Sequence, residues 1–210
     1  MSEYLEQMTG ARLQKFKESD AYKSWKAPKL SQIFILVGKN NENASELTRH
    51  CWASHIALSE IDHLEKISAP FAYYALPVMS RSSLYQVIPT ILLQLLRLKL
   101  KDLGPSGRQE DLYSKIRAYE AIAATEDMEE KKILSLHQVV ASVINYFEAE
   151  ETVYVIVDRV DRCEEDQQLS LMQALTQLME NGRCTAKVLV VANKSGWTID
   201  KKAGLTKAKD

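Results

Sequence analysis

The chain has 210 residues, of which 46% are hydrophobic and 26% are charged, and its formal net charge is −1. This length suits one α/β domain with a sizeable core. The balanced charge lacks the excess of basic residues that is typical of nucleic-acid-binding proteins. No apolar run approaches the ~18 residues of a membrane span, and the charged start lacks the apolar region of a signal peptide. The three cysteines lack C-x-x-C spacing and fit reduced thiols, so we expect a cytoplasmic protein that binds neither nucleic acid nor membranes.

The first third of the chain predicts a helical segment, a strand and a second helix. A modest amphipathic pattern predicts an N-terminal helical segment over residues 1–28. The apolar residues 33–37 are too few for a buried helix and end at Gly38, so they predict a strand buried on both faces. We expect the next helix from residue 43 to about residue 56, followed by the polar stretch 59–63.

The middle of the chain predicts a second strand and then three helical regions. Residues 71–76 are apolar and lie between two prolines, which favours a strand. Residues 84–96 place leucine, isoleucine and valine on one helix face, and Ser83 can cap that helix. Residues 109–132 are charged and predicted to be partly helical, and an apolar stripe over 136–147 predicts a further helix.

The last third of the chain predicts two more strands separated by a helix. Residues 152–158 form a run of β-forming residues that ends in an acid. An apolar stripe over 169–179 predicts a helix, and Gly182 is placed where a left-handed residue would end it. Residues 187–192 predict the fourth strand, and the lysine-rich residues 198–210 predict a flexible basic tail.

The alternation of buried strands with helices predicts the fold class. Near-continuous apolar strands occur in parallel sheets whose two faces are both covered by helices. We therefore predict an α/β domain over residues 29–197, a three-layer sandwich with a mostly parallel sheet.

The stretch "GKNNENAS", which follows the first strand, has the framework of a phosphate-binding loop. Such a loop reads G-x-x-x-x-G-K-[ST], and Gly38 and Ser45 occupy its first and last positions. Asn43 stands where the second glycine belongs, and asparagine tolerates left-handed backbone angles better than most residues. Ala44 stands where the lysine belongs and brings no charge to the phosphates, so we predict that the site does not support efficient hydrolysis.

A nucleotide site also needs an acid at the end of another strand, to hold Mg²⁺ directly or through water. Asp158 lies at such a position after the third strand. The fourth strand ends in Asn193, Lys194 and Ser195, where a sensor of the terminal phosphate would lie. Loop, acidic strand and sensor strand follow one another in the order found in P-loop ATPases.

These segments resemble a known family. The stretch "VYVIVDRVDRC", followed by a helix and then "KVLVVANKS", resembles the Walker B and sensor region of NACHT-like STAND NTPases. It is most similar to the large fungal set, which often carries a "DRxDRC" version, and the resemblance covers roughly residues 30–197. It implies a P-loop NTPase-like fold with strand order 2-3-4-1, truncated so that a fifth strand is missing or lies further along.

The resemblance also implies roles for individual residues. Asp158 matches the acid of the Mg²⁺ site, and Ser45 matches the hydroxyl that binds the same ion. Asp161 matches the second acid of the STAND motif, and Lys194 falls where the family commonly has an arginine. Gly38 begins the loop, so these residues together form the predicted nucleotide site.

We therefore expect a non-hydrolysing pseudo-NTPase that works as a regulatory or interaction module with a protein partner. One alternative is a switch that binds ATP or ADP weakly with Mg²⁺, and another is an unrelated enzyme that uses the carboxyl ends of the strands.

A guanine-reading motif is disfavoured because Gly196 replaces its aspartate. A zinc site at Cys51 and His55 is disfavoured because zinc needs three or four ligands. The sequence leaves the oligomeric state open.

Overall fold

The computed structural model describes residues 10, 13–38, 51–77, 79–99, 107–125, 129–194, 196, 197 and 199. The predicted loop residues Asn43, Ala44 and Ser45 lie outside the described residues, as do the first residues of the helix expected from residue 43. The predicted basic tail lies outside them almost entirely.

The described residues contain one sheet of four strands: β1 (Gln32–Gly38), β2 (Phe71–Ala75), β3 (Thr152–Asp158) and β4 (Thr185–Asn193). All neighbouring strands pair in parallel, in the order β1-β4-β3-β2. The predicted order 2-3-4-1 is therefore confirmed. The strands at the centre of the sheet are β4 and β3, which are the most completely buried.

Helices cover both faces of the sheet. They are α1 (Asp20–Lys26), α2 (Ser54–Lys66), α3 (Leu84–Lys99), α4 (Gly107–Ala123), α5 (Glu129–Ile144) and α6 (Gln168–Glu180), with a 3₁₀ turn at Val160–Arg162. The larger core cluster joins α3, α5 and α6 to one face of the sheet, and α4 packs on α5 beyond it. The smaller cluster joins α1 and α2 to the other face. The predicted three-layer α/β sandwich is confirmed.

The helix α2 is longer at its carboxyl end than the sequence predicted. It continues through the polar stretch 59–63 as far as Lys66, so the expected end near Ile56 is wrong. The reason lies in Glu60, which interrupts the apolar stripe although its side chain is 1% exposed. Glu60 forms an ion pair with Lys26 of α1 and accepts a hydrogen bond of 2.7 Å from the Tyr22 hydroxyl.

The glycine after α6 is needed for packing rather than for a left-handed turn. The helix is capped by Asn181, whose φ of −99° is right-handed, and Gly182 does not adopt a left-handed φ either. The predicted left-handed end at Gly182 is therefore wrong. A Cβ atom on Gly182 would lie 2.8 Å from Cγ1 of Ile144, so the close approach of α5 requires glycine.

The N-terminal helix α1 packs against the amino-terminal half of the sheet. Trp25 is 1% exposed, and its ring centre lies 6.3 Å from that of Phe34 and 6.1 Å from that of Tyr154. The buried ammonium group of Lys187, on β4, donates a hydrogen bond of 2.6 Å to the carbonyl of Ala27. None of the helices in the described ranges is long and apolar enough to cross a membrane.

Candidate functional site

The carboxyl ends of β1, β4 and β3 bring together the residues that the sequence singled out. Gly38 pairs with Asn193 across the parallel ladder, and the Gly38 carbonyl accepts a hydrogen bond of 2.9 Å from the N–H of Lys194. Asp158 ends β3 on the other side of β4, opposite Val191. Four of the five predicted site residues, Gly38, Asp158, Asp161 and Lys194, lie at this end of the sheet, and the fifth, Ser45, is outside the described residues.

The hydroxyl group that contacts Asp158 belongs to Ser54. Ser54 is the first residue of α2, and its Oγ donates a hydrogen bond of 2.9 Å to Oδ1 of Asp158. Ser54 is not among the residues that the sequence singled out. The available signal was a hydroxyl residue two positions before the apolar stripe that begins at Ile56.

Burial controls the charge of Asp158. Burial raises the pKa of its carboxyl group to about 6, well above the ordinary value, although the Ser54 hydrogen bond and the nearby Arg159 guanidinium lower it in part. The carboxylate is therefore an acid whose charge the protein does not fully compensate. Such a group gains most from a cation or from a proton.

The backbone N–H groups in the first turn of α2 already donate hydrogen bonds to nearby backbone carbonyls. The N–H groups of Ser54, His55 and Ile56 donate to the carbonyls three residues earlier, at 3.0, 3.2 and 2.9 Å. In a phosphate-binding loop the N–H groups at the start of the helix instead point toward the anion. Here these three donors are already engaged within the turn.

Residues 51–53 lie directly on the end of β1. A Cβ atom on Gly38 would lie 3.1 Å from Cβ of Ala53, 3.1 Å from Nε1 of Trp52 and 3.2 Å from Sγ of Cys51. The approach is close because Gly38 has no side chain, so glycine is required here for space. Cys51 is 2% exposed, and burial raises the pKa of its thiol.

The second acid, Asp161, is buried, and its carboxylate has partners within the protein. Its carboxylate pairs with the Arg159 guanidinium, with Nη2 2.9 Å from Oδ2, and its Oδ1 accepts a hydrogen bond of 2.8 Å from the N–H of Asn193. Arg159 adopts a left-handed φ of 63°, which turns its side chain back toward Asp161. Both residues are buried, so Asp161 connects the turn after β3 to the end of β4.

The chain after β4 fits closely against the same acid. A Cβ atom on Gly196 would lie 3.1 Å from Cβ of Asp161, and the fully buried Gln168 donates a hydrogen bond of 3.1 Å to the Gly196 carbonyl. Lys194 is exposed at the surface beside this turn. Asp161 thus holds the predicted sensor segment in place by accepting a hydrogen bond from the backbone N–H of Asn193.

A small cavity reaches Asp158 from the side of α2 and β2. Its volume is about 30 Å³, and its walls include Leu58, Ile61 and Tyr73. Ligand pockets commonly have several hundred Å³, whereas a water molecule needs ten to fifteen. This cavity therefore has room for water beside Asp158.

Within the described parts of the chain, no three His, Cys, Asp or Glu side chains lie close enough together to hold a metal ion. The Ser54–Asp158 contact is still a pair of oxygen ligands of the kind that Mg²⁺ accepts alongside water.

Comparison with known proteins identifies the family. No curated protein and no solved structure matches the chain. A family model described as "Nephrocystin 3, N-terminal" matches residues 12–192, which is most of the chain and covers the described elements from α1 to β4 except for the last residue of β4. The chain therefore belongs to the nephrocystin 3 N-terminal family.

Proposed function

We propose that the chain is a non-hydrolysing, NACHT-like pseudo-NTPase domain that serves as a regulatory or protein-interaction module. The observation that carries the proposal is the first turn of α2. Its N–H groups from Ser54 to Ile56 donate to carbonyls of the same turn, at 2.9 to 3.2 Å. A phosphate group would have to displace those contacts before it could use these donors.

The charges around the site support the same proposal. Ala53 precedes Ser54, so the position before the contacting hydroxyl carries no lysine to meet the phosphates. The Arg159 guanidinium is paired with Asp161. The charge beside Ser54 is the carboxylate of Asp158, which repels a phosphate unless Mg²⁺ lies between them.

The proposal includes three further features that were predicted from the sequence. They are a relationship to fungal STAND NTPases, a degenerate Walker A loop from Gly38 to Ser45, and a protein partner in the cytoplasm. The proposed domain runs over residues 29–197, between the helical segment 1–28 and the basic tail 198–210.

Phosphate release from Mg-ATP tests the proposal. We expect the rate for the purified chain to equal that of Asp158→Asn, because the amide removes the acid of the site and little else. A rate several-fold above that of Asp158→Asn would contradict a non-hydrolysing domain. Asp166→Asn removes an exposed carboxylate beyond the 3₁₀ turn and serves as the matched control.

A weak ATP or ADP switch is the second candidate, and the Ser54–Asp158 contact favours it. A hydroxyl 2.9 Å from a strand-end carboxylate provides two oxygens on one side of a cation site. Ser54 and Asp158 would hold Mg²⁺, which would offset the negative charge of the phosphates beside the carboxylate. An exchange of ATP for ADP would then alter the first turn of α2.

Two repaired variants separate the possible phosphate loops. Asn43→Gly with Ala44→Lys restores glycine and lysine before Ser45, whereas Trp52→Gly with Ala53→Lys restores them before Ser54. Because Ser54 is the hydroxyl in contact with Asp158, we expect the second repair to gain Mg-ATP affinity. The gain is about tenfold or more, from new charge-assisted hydrogen bonds, and it should vanish when Asp158→Asn is added. A gain from the first repair alone would place the Mg²⁺ hydroxyl at Ser45.

A further inference from the structure

A polar cleft lies at the opposite end of the sheet from the Ser54–Asp158 contact. Its walls come from α4, from the end of α5 and from the turn that joins α6 to β4. The ends of α5 and α6 precede the starts of β3 and β4, so the polar cleft lies at the amino-terminal edge of the sheet. Its volume is about 610 Å³, which is within the range of small-molecule pockets, whereas the cavity beside Asp158 has about 30 Å³.

The described walls of the polar cleft carry a surplus of positive charge. Two wall residues are cationic, Lys115 and Arg183, and one is acidic, Asp111. The ring of Tyr146, also in the wall, packs against the larger core cluster and gives the cleft an apolar patch. A ligand with a negative charge and a small apolar face would match these walls.

Arg183 is the cation whose donors are available. It is exposed, and within the described parts of the chain its guanidinium makes neither an ion pair nor a hydrogen bond. The turn before it is fixed by packing, since a Cβ atom on Gly182 would lie 2.8 Å from Cγ1 of Ile144. A guanidinium presents five N–H donors in a planar fork that matches phosphate. Arg183 can therefore give a phosphate group two parallel hydrogen bonds.

Lys115 is the second cation, and two contacts hold its ammonium group. The group donates to Oδ2 of Asp111 at 2.7 Å and to Oγ of Ser142 at 2.9 Å. An ammonium group has three N–H donors, so one remains for a ligand. Because the side chain is already held, binding a ligand costs it little further conformational entropy.

Two amide side chains in the walls offer acceptors. Asn181 donates from Nδ2 to the carbonyl of Gln177 at 3.1 Å and to Oε1 of the same residue at 2.6 Å. Asn145 donates from Nδ2 to the carbonyl of Ala141 at 2.9 Å. Among the described residues, neither Oδ1 atom accepts a hydrogen bond. These oxygens repel an anion, whereas a hydroxyl group of a ligand can donate to them.

We propose that the polar cleft binds a small hydroxylated phosphate ester, a ligand of the sugar-phosphate class. The phosphate group accepts from Arg183 and from the remaining donor of Lys115. The hydroxyl groups of the ligand donate to the Oδ1 atoms of Asn145 and Asn181, and its C–H face packs on the ring of Tyr146. A ligand with the charge alone would leave the amide acceptors unused, and one with the hydroxyls alone would leave Arg183 unused.

This binding goes beyond the proposed function and does not depend on it. The seven residues of β3 rise about 3.3 Å each, so about 20 Å separates the polar cleft from Asp158. Asp158→Asn should therefore leave sugar-phosphate binding unchanged, and Arg183→Gln should leave any nucleotide binding at Asp158 unchanged. Either proposal can fail without the other.

NMR titration of the ¹⁵N-labelled full chain tests the proposal, with ribose 5-phosphate as the probe. We expect binding with a Kd of about 1 mM or tighter, and shifts at the N–H groups of residues 142–146 and 181–183. Ribose lacks the phosphate and inorganic phosphate lacks the carbon-bound hydroxyls, so each should bind at least about tenfold more weakly.

Two exposed wall residues give variants with effects of opposite sign. Arg183→Gln should weaken binding about tenfold or more, whereas Arg97→Gln, which removes an exposed arginine outside the polar cleft, should not. Asp111→Asn removes a carboxylate that repels the phosphate and should tighten binding several-fold. Glu110→Gln, which removes the exposed carboxylate next to it in sequence, is the matched control. A gain in affinity cannot come from a variant that fails to fold.

Three results would overturn the proposal. The first is an absence of shifts at the polar cleft with ribose 5-phosphate up to about 10 mM. The second is an affinity that Arg183→Gln leaves unchanged. The third is inorganic phosphate that binds as tightly as ribose 5-phosphate, because the cleft would then attract anions by charge alone.

Discussion

Asp158 ends β3 and Asp161 lies three residues later in the 3₁₀ turn, and the protein compensates the charges of these two carboxylates to different extents. Asp161 is 4% exposed, pairs with the Arg159 guanidinium and accepts from the N–H of Asn193. Asp158 has the Ser54 hydroxyl as its side-chain donor, and burial raises its pKa to about 6. The Arg159–Asp161 pair therefore compensates its charge inside the fold, whereas the Ser54–Asp158 contact leaves charge uncompensated.

The difference separates a structural acid from a candidate ligand-binding acid. A buried carboxylate with a guanidinium and a backbone donor is part of the fold, and its loss leaves the other charge exposed to an apolar interior. A partly buried carboxylate such as Asp158, whose charge a hydroxyl and a nearby guanidinium compensate only in part, destabilises the fold at neutral pH. Such a cost is typical of sites that bind a cation or proton, or that have lost one.

The largest effect is expected from removing Asp161. Asp161→Asn leaves the buried Arg159 guanidinium without its counter-ion, so the free energy of unfolding should fall by about 3 kcal/mol. Urea unfolding at pH 7 measures this change.

The matched control for that variant is Glu165→Gln. Glu165 forms a surface ion pair with Arg81, in which both side chains are exposed, and its loss should cost less than about 0.5 kcal/mol. If Asp161→Asn cost no more than this control, the distinction between the two acids would disappear.

The second effect has the opposite sign and depends on pH. The folded pKa of Asp158, about 6, lies above its ordinary value of 3.8, so the folded state holds the proton more tightly than the unfolded state. The parent chain therefore loses stability as the pH rises from about 4 to about 6, and the penalty is complete above that window. Asp158→Asn keeps an acceptor for Ser54 without the charge.

We expect Asp158→Asn to be about 2 kcal/mol more stable than the parent chain at pH 7 and equal to it near pH 4. Urea unfolding at the two pH values measures the difference. Asp166→Asn, which removes an exposed carboxylate of the same loop, should shift stability by less than about 0.5 kcal/mol. A variant that is less stable than the parent at pH 7 would show that Asp158 is compensated after all.

The smallest effect is expected from Ser54→Ala. The hydroxyl lowers the pKa of Asp158, so its removal should raise that pKa further and cost about 1 kcal/mol of folding stability. Carbon-detected NMR titration of the side-chain carboxyl follows the pKa directly. Ser59→Ala, on the same helix, removes a hydroxyl that accepts from Lys17 and should leave the Asp158 titration unchanged.

The sheet could be predicted from the sequence because its strands are short apolar runs that end at recognisable residues. The third strand, Thr152–Asp158, was predicted residue for residue, and the strand order followed from the family resemblance. The end of α2 could not be predicted, since Glu60 breaks the apolar pattern and is compensated by Lys26 and Tyr22 from a distant helix. Long-range compensation of this kind leaves no local signal.

The candidate site was predicted only in part, for a similar reason. Asp158 could be found because an acid at the end of a buried strand is a local pattern. The roles of Ser54 and Asp161 depend on contacts across 104 and 32 residues of sequence, respectively, and no spacing rule reveals them. Ser45 stays a prediction, because it lies outside the described residues.

Isothermal titration of the parent chain with Mg-ATP and with Mg-ADP at pH 7 tests the central claim most directly. With the N–H groups of Ser54, His55 and Ile56 engaged in their own turn and no lysine before Ser54, we predict no binding tighter than about 100 µM. Binding at about 10 µM or tighter that is lost in Asp158→Asn would contradict the pseudo-NTPase and establish a nucleotide switch at this end of the sheet.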